Sequence, residues 1–204
     1  AFFFRGNSSF KEGLNVKDFV ASDNLKDVLK TALNVVLFTL GVELAGAIFI
    51  FFSTDNLPVL SERIFFSIFH SISAFCNAGF STFSAGMYDN GLRFNYPLQW
   101  IIMALIIFGG LGYNIAYNFY SYLKNALLQL FRIKKIKKHI RIITLNTKII
   151  LYTSFLLLIA GFAFFMLAEY NTVLAEHKTA FGKITTAAFT SVTPRTAGFG
   201  TIDF

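Results

Sequence analysis

The sequence predicts an all-α integral membrane fold built from a repeated unit: a spanning helix, a shorter helix, a glycine-bearing loop and a second span. Three observations predict it. Long apolar stretches alternate with polar turns, the positive charges gather in one segment, and a four-residue motif recurs after equivalent short helices.

The chain has 204 residues, of which 55% are hydrophobic, 18% aromatic and only 14% charged, with a mean hydropathy of +0.59. A soluble domain is roughly 45–50% apolar and about 25% charged. Too little polar surface is left here to cover a water-soluble globule, so the solvent implied is a lipid bilayer. A single cysteine, Cys76, excludes an internal disulfide. The net charge of +7 does not point to nucleic acid, because of where it sits. No acidic residue lies between Asp89 and Glu169, whereas Lys124, Arg132, Lys134, Lys135, Lys137, Lys138, Arg141 and Lys148 cluster between two apolar stretches. Positive residues concentrate in cytoplasmic loops, so this cluster reads as one.

Residues 1–30 carry five basic and four acidic side chains and read as a cytoplasmic or interfacial segment, with short surface helices at 11–15 and 23–30. Residues 31–52 are apolar except for Glu43, and 22 residues suffice to cross a hydrocarbon core of about 30 Å. A polar turn with Asp55, Asn56 and Pro58 follows. Residues 62–76 form a shorter segment dotted with Ser67, His70, Ser71 and Ser73, which suits a re-entrant helix. Residues 97–123 supply a second span with Pro97 in its first turn. After the basic linker 124–148 the order restarts: a span at 149–168, a polar turn, a short helix at 180–192 and a Gly-rich stretch. The chain starts at Ala1 and stops before a final span, so it reads as a piece of a longer polypeptide.

The repeat is explicit. Asn77-Ala78-Gly79-Phe80 and Thr196-Ala197-Gly198-Phe199 stand 119 residues apart, and the preceding spans align Leu44-Ala45-Gly46 on Ile159-Ala160-Gly161 at 115, a difference attributed to the intervening turn. Irregular backbone at membrane depth must be buried in protein or line water. Two such stretches at equivalent places suit a selectivity filter, whose carbonyl oxygens replace the water shell of a cation. Gly79 and Gly198 allow positive φ, each short helix aims its partly negative C-terminus at the loop, and Phe80 and Phe199 are expected to wedge the loops against their surroundings.

The segment 69–81 (FHSISAFCNAGFS) resembles the second pore loop of the Trk/Ktr/HKT potassium transporter superfamily, and 191–199 (SVTPRTAGF) resembles the third. Gly109-Gly110-Leu111-Gly112 is similar to a Gly-rich helix segment of that family, and 11–15 to the stretch before the second unit. The look is that of the bacterial Ktr/Trk type. The resemblance implies a four-unit potassium channel-like fold around one pore, of which this chain holds unit two and most of unit three. Pore helices at 62–76 and 180–192 and filter segments at 77–80 and 196–199 are then expected. The implied function is potassium uptake across the bacterial inner membrane by a multi-pass protein, with sodium or proton coupling open, no bound cofactor and no metal beyond the permeating ion. Implied partners are the lipid bilayer, pore units one and four of the same polypeptide, a second copy in a homodimer, and a cytosolic nucleotide-binding regulatory subunit; no nucleic acid is implied.

Other residues carry two readings each. Glu43 is favoured as a hydrogen-bonded structural carboxylate over an ion-path residue, although charges inside spans are often functional. His70 reads as a satisfied packing residue rather than a metal or proton site, since no second ligand lies at suitable spacing. Arg195 reads as an anchor to loop carbonyls or an acid rather than a group that tunes cations at the mouth. Gly109, Gly110 and Gly112 read as close-packing positions rather than a hinge, and the basic run 134–141 as a topology signal rather than a lipid or protein site. A membrane enzyme would need a catalytic pair at depth, where only Glu43 and His70 stand, each alone; a non-transporting anchor would leave the loop repeat as coincidence.

Overall fold

A computed structural model describes residues 25–112 except 56, 58 and 90, residue 115, and residues 145–201, with side chains described from 32 in the first stretch and from 148 in the last. The expected surface helix at 11–15 and most of the basic linker 124–148 lie outside the described residues. The chain divides into two compact units, 1–38 and 39–204, and the second carries both short helices and both loops.

Secondary structure among the described residues is helical: α1 (Leu25–Ser53), α2 (Leu60–Phe75), α3 (Tyr96–Leu111), α4 (Leu145–Ala168) and α5 (Ala180–Thr196), with single 3-10 turns at Gly86–Tyr88 and Val173–Glu176. By length and composition, Ala32–Ser53 and Lys148–Ala168 can each cross a bilayer, and Tyr96–Leu111 is a shorter apolar helix. The bounds differ from the sequence reading in three informative ways. Helix α1 starts at Leu25 rather than 31, because Leu25-Lys-Asp-Val-Leu-Lys30 is a run of mostly good helix formers continuous with the apolar stretch. Helix α3 is interrupted after Leu111, where Gly112 takes φ 77° and folds its N–H back onto the Gly109 carbonyl; of the rest of the expected span to 123, residue 115 is helical and the others lie outside the described residues. Helix α5 runs past Pro194 to Thr196, not 192, because the Thr193 carbonyl accepts the N–H groups of both Ala197 (3.0 Å) and Gly198 (2.9 Å) and closes the last turn beyond the proline.

The distribution of side chains is the reverse of a soluble protein's. Leu40, Leu44, Ile48, Phe49 and Phe52 on α1 and Phe155, Leu156, Phe164 and Leu167 on α4 are exposed, Leu167 by 85%. Meanwhile Ser67, His70, Ser71, Ser73, Thr185, Thr186 and Thr193 on the short helices are buried. Contiguous exposed apolar surface of this extent calls for a non-aqueous neighbour. Hydroxyls on the short helices find carbonyls one turn back: buried Ser67 Oγ donates to Arg63 O at 2.7 Å, and half-buried Thr190 Oγ1 to Thr186 O at 2.8 Å. Trp100 Nε1 joins α3 to α5 by donating to Thr185 Oγ1 at 3.2 Å.

Side chains also satisfy the helix ends. Asn95 caps α3, accepting the Leu98 N–H at 3.1 Å, while its amide donates to Ser53 O at 2.6 Å and so ties the end of α1 to the start of α3. Arg63 reaches back to the Phe51 carbonyl at 2.8 and 2.5 Å, pairs with Asp55 and lies 4.1 Å from the Phe51 ring centre. Thr179 caps α5 through the Gly182 N–H at 3.0 Å.

The two repeats of spanning helix and short helix, α1–α2 and α4–α5, dock in the same way. Ser71 Oγ donates to Glu43 O at 2.5 Å and Ser191 Oγ to Leu158 O at 2.7 Å. In each case a Cβ at the glycine three residues on, Gly46 or Gly161, would lie 2.5 or 2.6 Å from that hydroxyl oxygen. The glycines differ by 115 in number and the serines by 120, whereas the loops differ by 119. The intervening turn is therefore five residues longer in the second unit, not four, and one residue is lost between short helix and loop.

Close packing explains Gly109. A Cβ there would coincide with the Phe75 carbonyl at the end of α2, while a Cβ at Gly41 would meet nothing within 4 Å. Gly109→Ala is expected to lower the thermal stability of the detergent-solubilised protein by about 1–3 kcal/mol, the usual cost of overpacking. Gly41→Ala is expected to be neutral or stabilising by about 0.5–1 kcal/mol, because a helix interior prefers alanine. Equal effects of the two would contradict the packing.

His177 is buried between the 3-10 turn and α5. Its Nδ1 bonds Tyr96 Oη at 3.1 Å and its Nε2 bonds Thr186 Oγ1 at 3.0 Å. Burial, the largest influence, lowers its pKa from the ordinary 6.5; Glu176 opposes this, and Arg93 and Lys183 add to the lowering. The unfolded chain then takes up a proton that the folded one resists, so stability is complete above about pH 6.5 and falls as pH drops below it. Thermal melts across that range are expected to show this slope in the native protein and a flatter one in His177→Gln.

Candidate functional site

Each loop begins where a short helix unwinds, by different means. At the end of α2 the Ala78 N–H bonds Ser73 O at 2.8 Å and the Asn77 N–H bonds Ala74 O at 3.1 Å, a Schellman closure. That closure needs a left-handed residue after the cap, and Asn77 supplies it at φ 55°; asparagine tolerates this region better than most side chains. Gly79 follows at φ 71°. At the end of α5, Ala197 is still right-handed, and only Gly198, at φ 79°, is left-handed.

The structure brings the two loops side by side. A Cβ at Gly79 would run into the Ala197 carbonyl oxygen, so backbone meets backbone there with room only for hydrogen; Gly198 has open space around its Cα. Gly86, beyond the first loop, would place a Cβ 3.8 Å from Gly200 O beyond the second. Thr196 Oγ1 and the Asn77 carboxamide lie 2.8 Å apart. The C-termini of α2 and α5 thus meet within one hydrogen bond. Both leave their last carbonyls outside the helical ladder and carry the partly negative end of a helix dipole, so their meeting point favours a cation.

Neighbouring groups fix this arrangement. Ser73 Oγ donates to Phe80 O at 2.9 Å. Phe199 is 2% exposed, with its ring stacked 6.3 Å from that of His70. Phe80, expected to wedge the first loop in the same way, is instead 69% exposed. Phe199 packs against His70 of α2, whereas Phe80 has no such ring contact among the described residues. Thr193, the counterpart of Ser73 in helix register, is buried with its hydroxyl unpartnered among the described residues.

Glu43 is half-buried; its backbone carbonyl receives Ser71 and its carboxylate oxygen lies 3.7 Å from Cys76 Sγ. His70 is fully buried and satisfied, Nδ1 at 3.0 Å from Phe66 O and Nε2 at 3.1 Å from Ser81 Oγ, so its partners are its own helix and the loop rather than a second helix. Arg195 is exposed in the last turn of α5 and has neither loop carbonyl nor acid as partner among the described residues. No three His, Cys, Asp or Glu side chains among the described residues gather as metal ligands do. Sequence reasoning missed the serine pair that docks the short helices, although Gly46/Gly161 and Ser71/Ser191 are repeated signals, and it missed the reach of the Asn77 side chain.

The chain matches the TrkH cation transport protein family over residues 1–204. It is 32% identical over 198 residues to the potassium/sodium uptake protein NtpJ of Enterococcus hirae, covering 96% of this chain and 40% of that protein. It is 30% identical over 200 residues to the Ktr system potassium uptake protein B of Vibrio alginolyticus, again covering 96% of this chain and 40% of the relative. The Bacillus subtilis protein of the same name is 29% identical over 197 residues, 95% of this chain and 40% of its own length. The chain therefore spans about two fifths of the length of these curated relatives. With a family match along the whole chain, two apolar helices long enough to span a bilayer and two paired loops at the ends of polar short helices, this chain is a membrane protein that belongs to the TrkH cation transport protein family.

Proposed function

We propose that this chain forms part of the ion pathway of a potassium uptake protein, with residues 77–80 and 196–199 as two segments of its selectivity filter. The observation that carries the reading is the meeting of two short-helix C-termini at Asn77 and Thr196, with the Gly79 backbone against the Ala197 carbonyl. Asn77, Ala78, Gly79 and Phe80, with Thr196, Ala197, Gly198 and Phe199, offer backbone carbonyls to a dehydrated cation. Potassium as the ion is supported by the names of the relatives, one of which also includes sodium.

The full pathway in this reading has four units in one polypeptide, units one and four lying outside this chain. The protein is multi-pass in the plasma membrane, with the basic linker 124–148 on the cytoplasmic side. It works as a homodimer and takes a cytosolic nucleotide-binding regulatory subunit, with sodium or proton coupling as its open variable. No covalent chemistry is involved. The two residues an enzyme reading would need are engaged separately, Glu43 beside Cys76 and His70 with Phe66 O and Ser81.

Rubidium uptake by a transport-deficient cell expressing the full-length protein tests the assignment. Gly198→Ser is expected to retain expression, since only backbone strain of about 1–2 kcal/mol opposes it, and to reduce discrimination between potassium and sodium. Gly79→Ser adds a collision with the Ala197 carbonyl and is expected to lose uptake by at least about tenfold. Native selectivity in both variants, with expression intact, would overturn the filter reading.

A further inference from the structure

Among the described residues Asn77 is the one non-glycine with positive φ. Its side chain is engaged on two sides. Either orientation of the amide contacts Thr196 Oγ1 at 2.8 Å, but one orientation also donates to the Ile106 carbonyl at 3.2 Å and accepts the Gly110 N–H at 3.2 Å. With three partners satisfied, that orientation is the one its surroundings select. The carbonyl of Ile106 and the N–H of Gly110 are the two members of one α-helical rung. The Asn77 amide therefore reaches into the ladder of α3, two residues before that helix ends at Gly112. A side chain inserted into a ladder is one of the few recognised causes of a helix bend. The approach depends on the missing side chain of Gly109, where a Cβ would strike the Phe75 carbonyl and stand 3.0 Å from the Asn77 carboxamide; a Cβ at Gly110 would be in ordinary contact, 3.8 Å from Thr196 Oγ1.

We infer that Asn77 is a positioning residue that ties both loops to the end of α3, so that the spacing of the two filter segments depends on the state of the helix at Gly109–Gly112. The inference rests on the filter reading above. In it the Asn77 carboxamide touches no ion; it holds Thr196, and through it the start of the second loop, at a fixed distance from the first. Because the amide is held by the Ile106 carbonyl and the Gly110 N–H, a change of α3 at that rung is felt at the bond to Thr196. Cation discrimination and the local geometry of α3 are then two readouts of one contact.

Three variants of the full-length protein test this. Asn77→Gly keeps the left-handed backbone and removes the amide, Thr196→Val keeps the shape and removes the hydroxyl, and the third combines both. Rubidium uptake with sodium competition, its KM and maximal rate, and the melting temperature are measured for each. Asn77→Gly is expected to lower discrimination against sodium about tenfold, the factor that corresponds to one hydrogen bond of ordinary strength, with a raised KM for rubidium. Thr196→Val is expected to shift both in the same direction, and the double variant to be no worse than Asn77→Gly, because both remove the same link. Wild-type discrimination and KM in Asn77→Gly overturn the inference, whether or not the melting temperature falls. If Asn77→Gly fails to fold, wild-type discrimination in Thr196→Val overturns it equally. Gly198→Ser separates the two levels. Selectivity altered there but unchanged in Asn77→Gly sinks the coupling alone, whereas selectivity unchanged in both sinks the filter reading and the coupling with it.

Discussion

The arrangement depends on one backbone contact, the hydrogen-only face of Gly79 against the Ala197 carbonyl. Any side chain at that position would push the loops apart and break the link between Asn77 and Thr196. Everything nearby enforces this approach. Ser71 and Ser191 pin the short helices to their spans through glycine notches, Gly109 lets α3 press on the end of α2, and Phe199 fills the space against His70. The glycines thus set distances between backbones, and the hydroxyls set orientation.

That pattern follows from the solvent. With lipid outside, no hydrophobic force distinguishes a helix's outer face from its partner, so association relies on close packing and hydrogen bonds. The chain accordingly exposes many Leu, Ile and Phe side chains and places Ser, Thr and His beside a Leu, Ile and Phe core in its interior. Several interior hydroxyls bond carbonyls one turn back or on a neighbouring helix, and others bond Trp100 and His177, which satisfies most of the polar groups on the short helices.

The fold was legible from the sequence where it rests on composition and repetition. Apolar run length announced α1 and α4, and the recurring Ala-Gly-Phe announced two equivalent loops. Helix ends were less legible. The short helix expected to stop at 192 continues to Thr196, because the Thr193 carbonyl closes a further turn; Gly112 suggested packing, but it ends α3 at Leu111. The one-residue shift between short helix and loop is invisible in a motif alignment, because it arises from the left-handed turn at Asn77 that Ala197 does not repeat. Phe80 and Phe199 stand in the same motif and differ in burial, because Phe199 stacks on His70 of α2 and Phe80 stays exposed. Side-chain reach, as at Asn77, depends on three-dimensional neighbours 29 to 119 positions away and leaves no local signal.

The pairing of the loops has one direct observable: where a heavy monovalent cation sits in the full-length protein. Anomalous diffraction from crystals grown in rubidium or thallium locates it without reference to transport. The account predicts a peak between the two loops, within coordination distance of backbone carbonyls from both 77–80 and 196–199. A protein saturated with the ion and showing density only elsewhere, or against one loop alone, would contradict it.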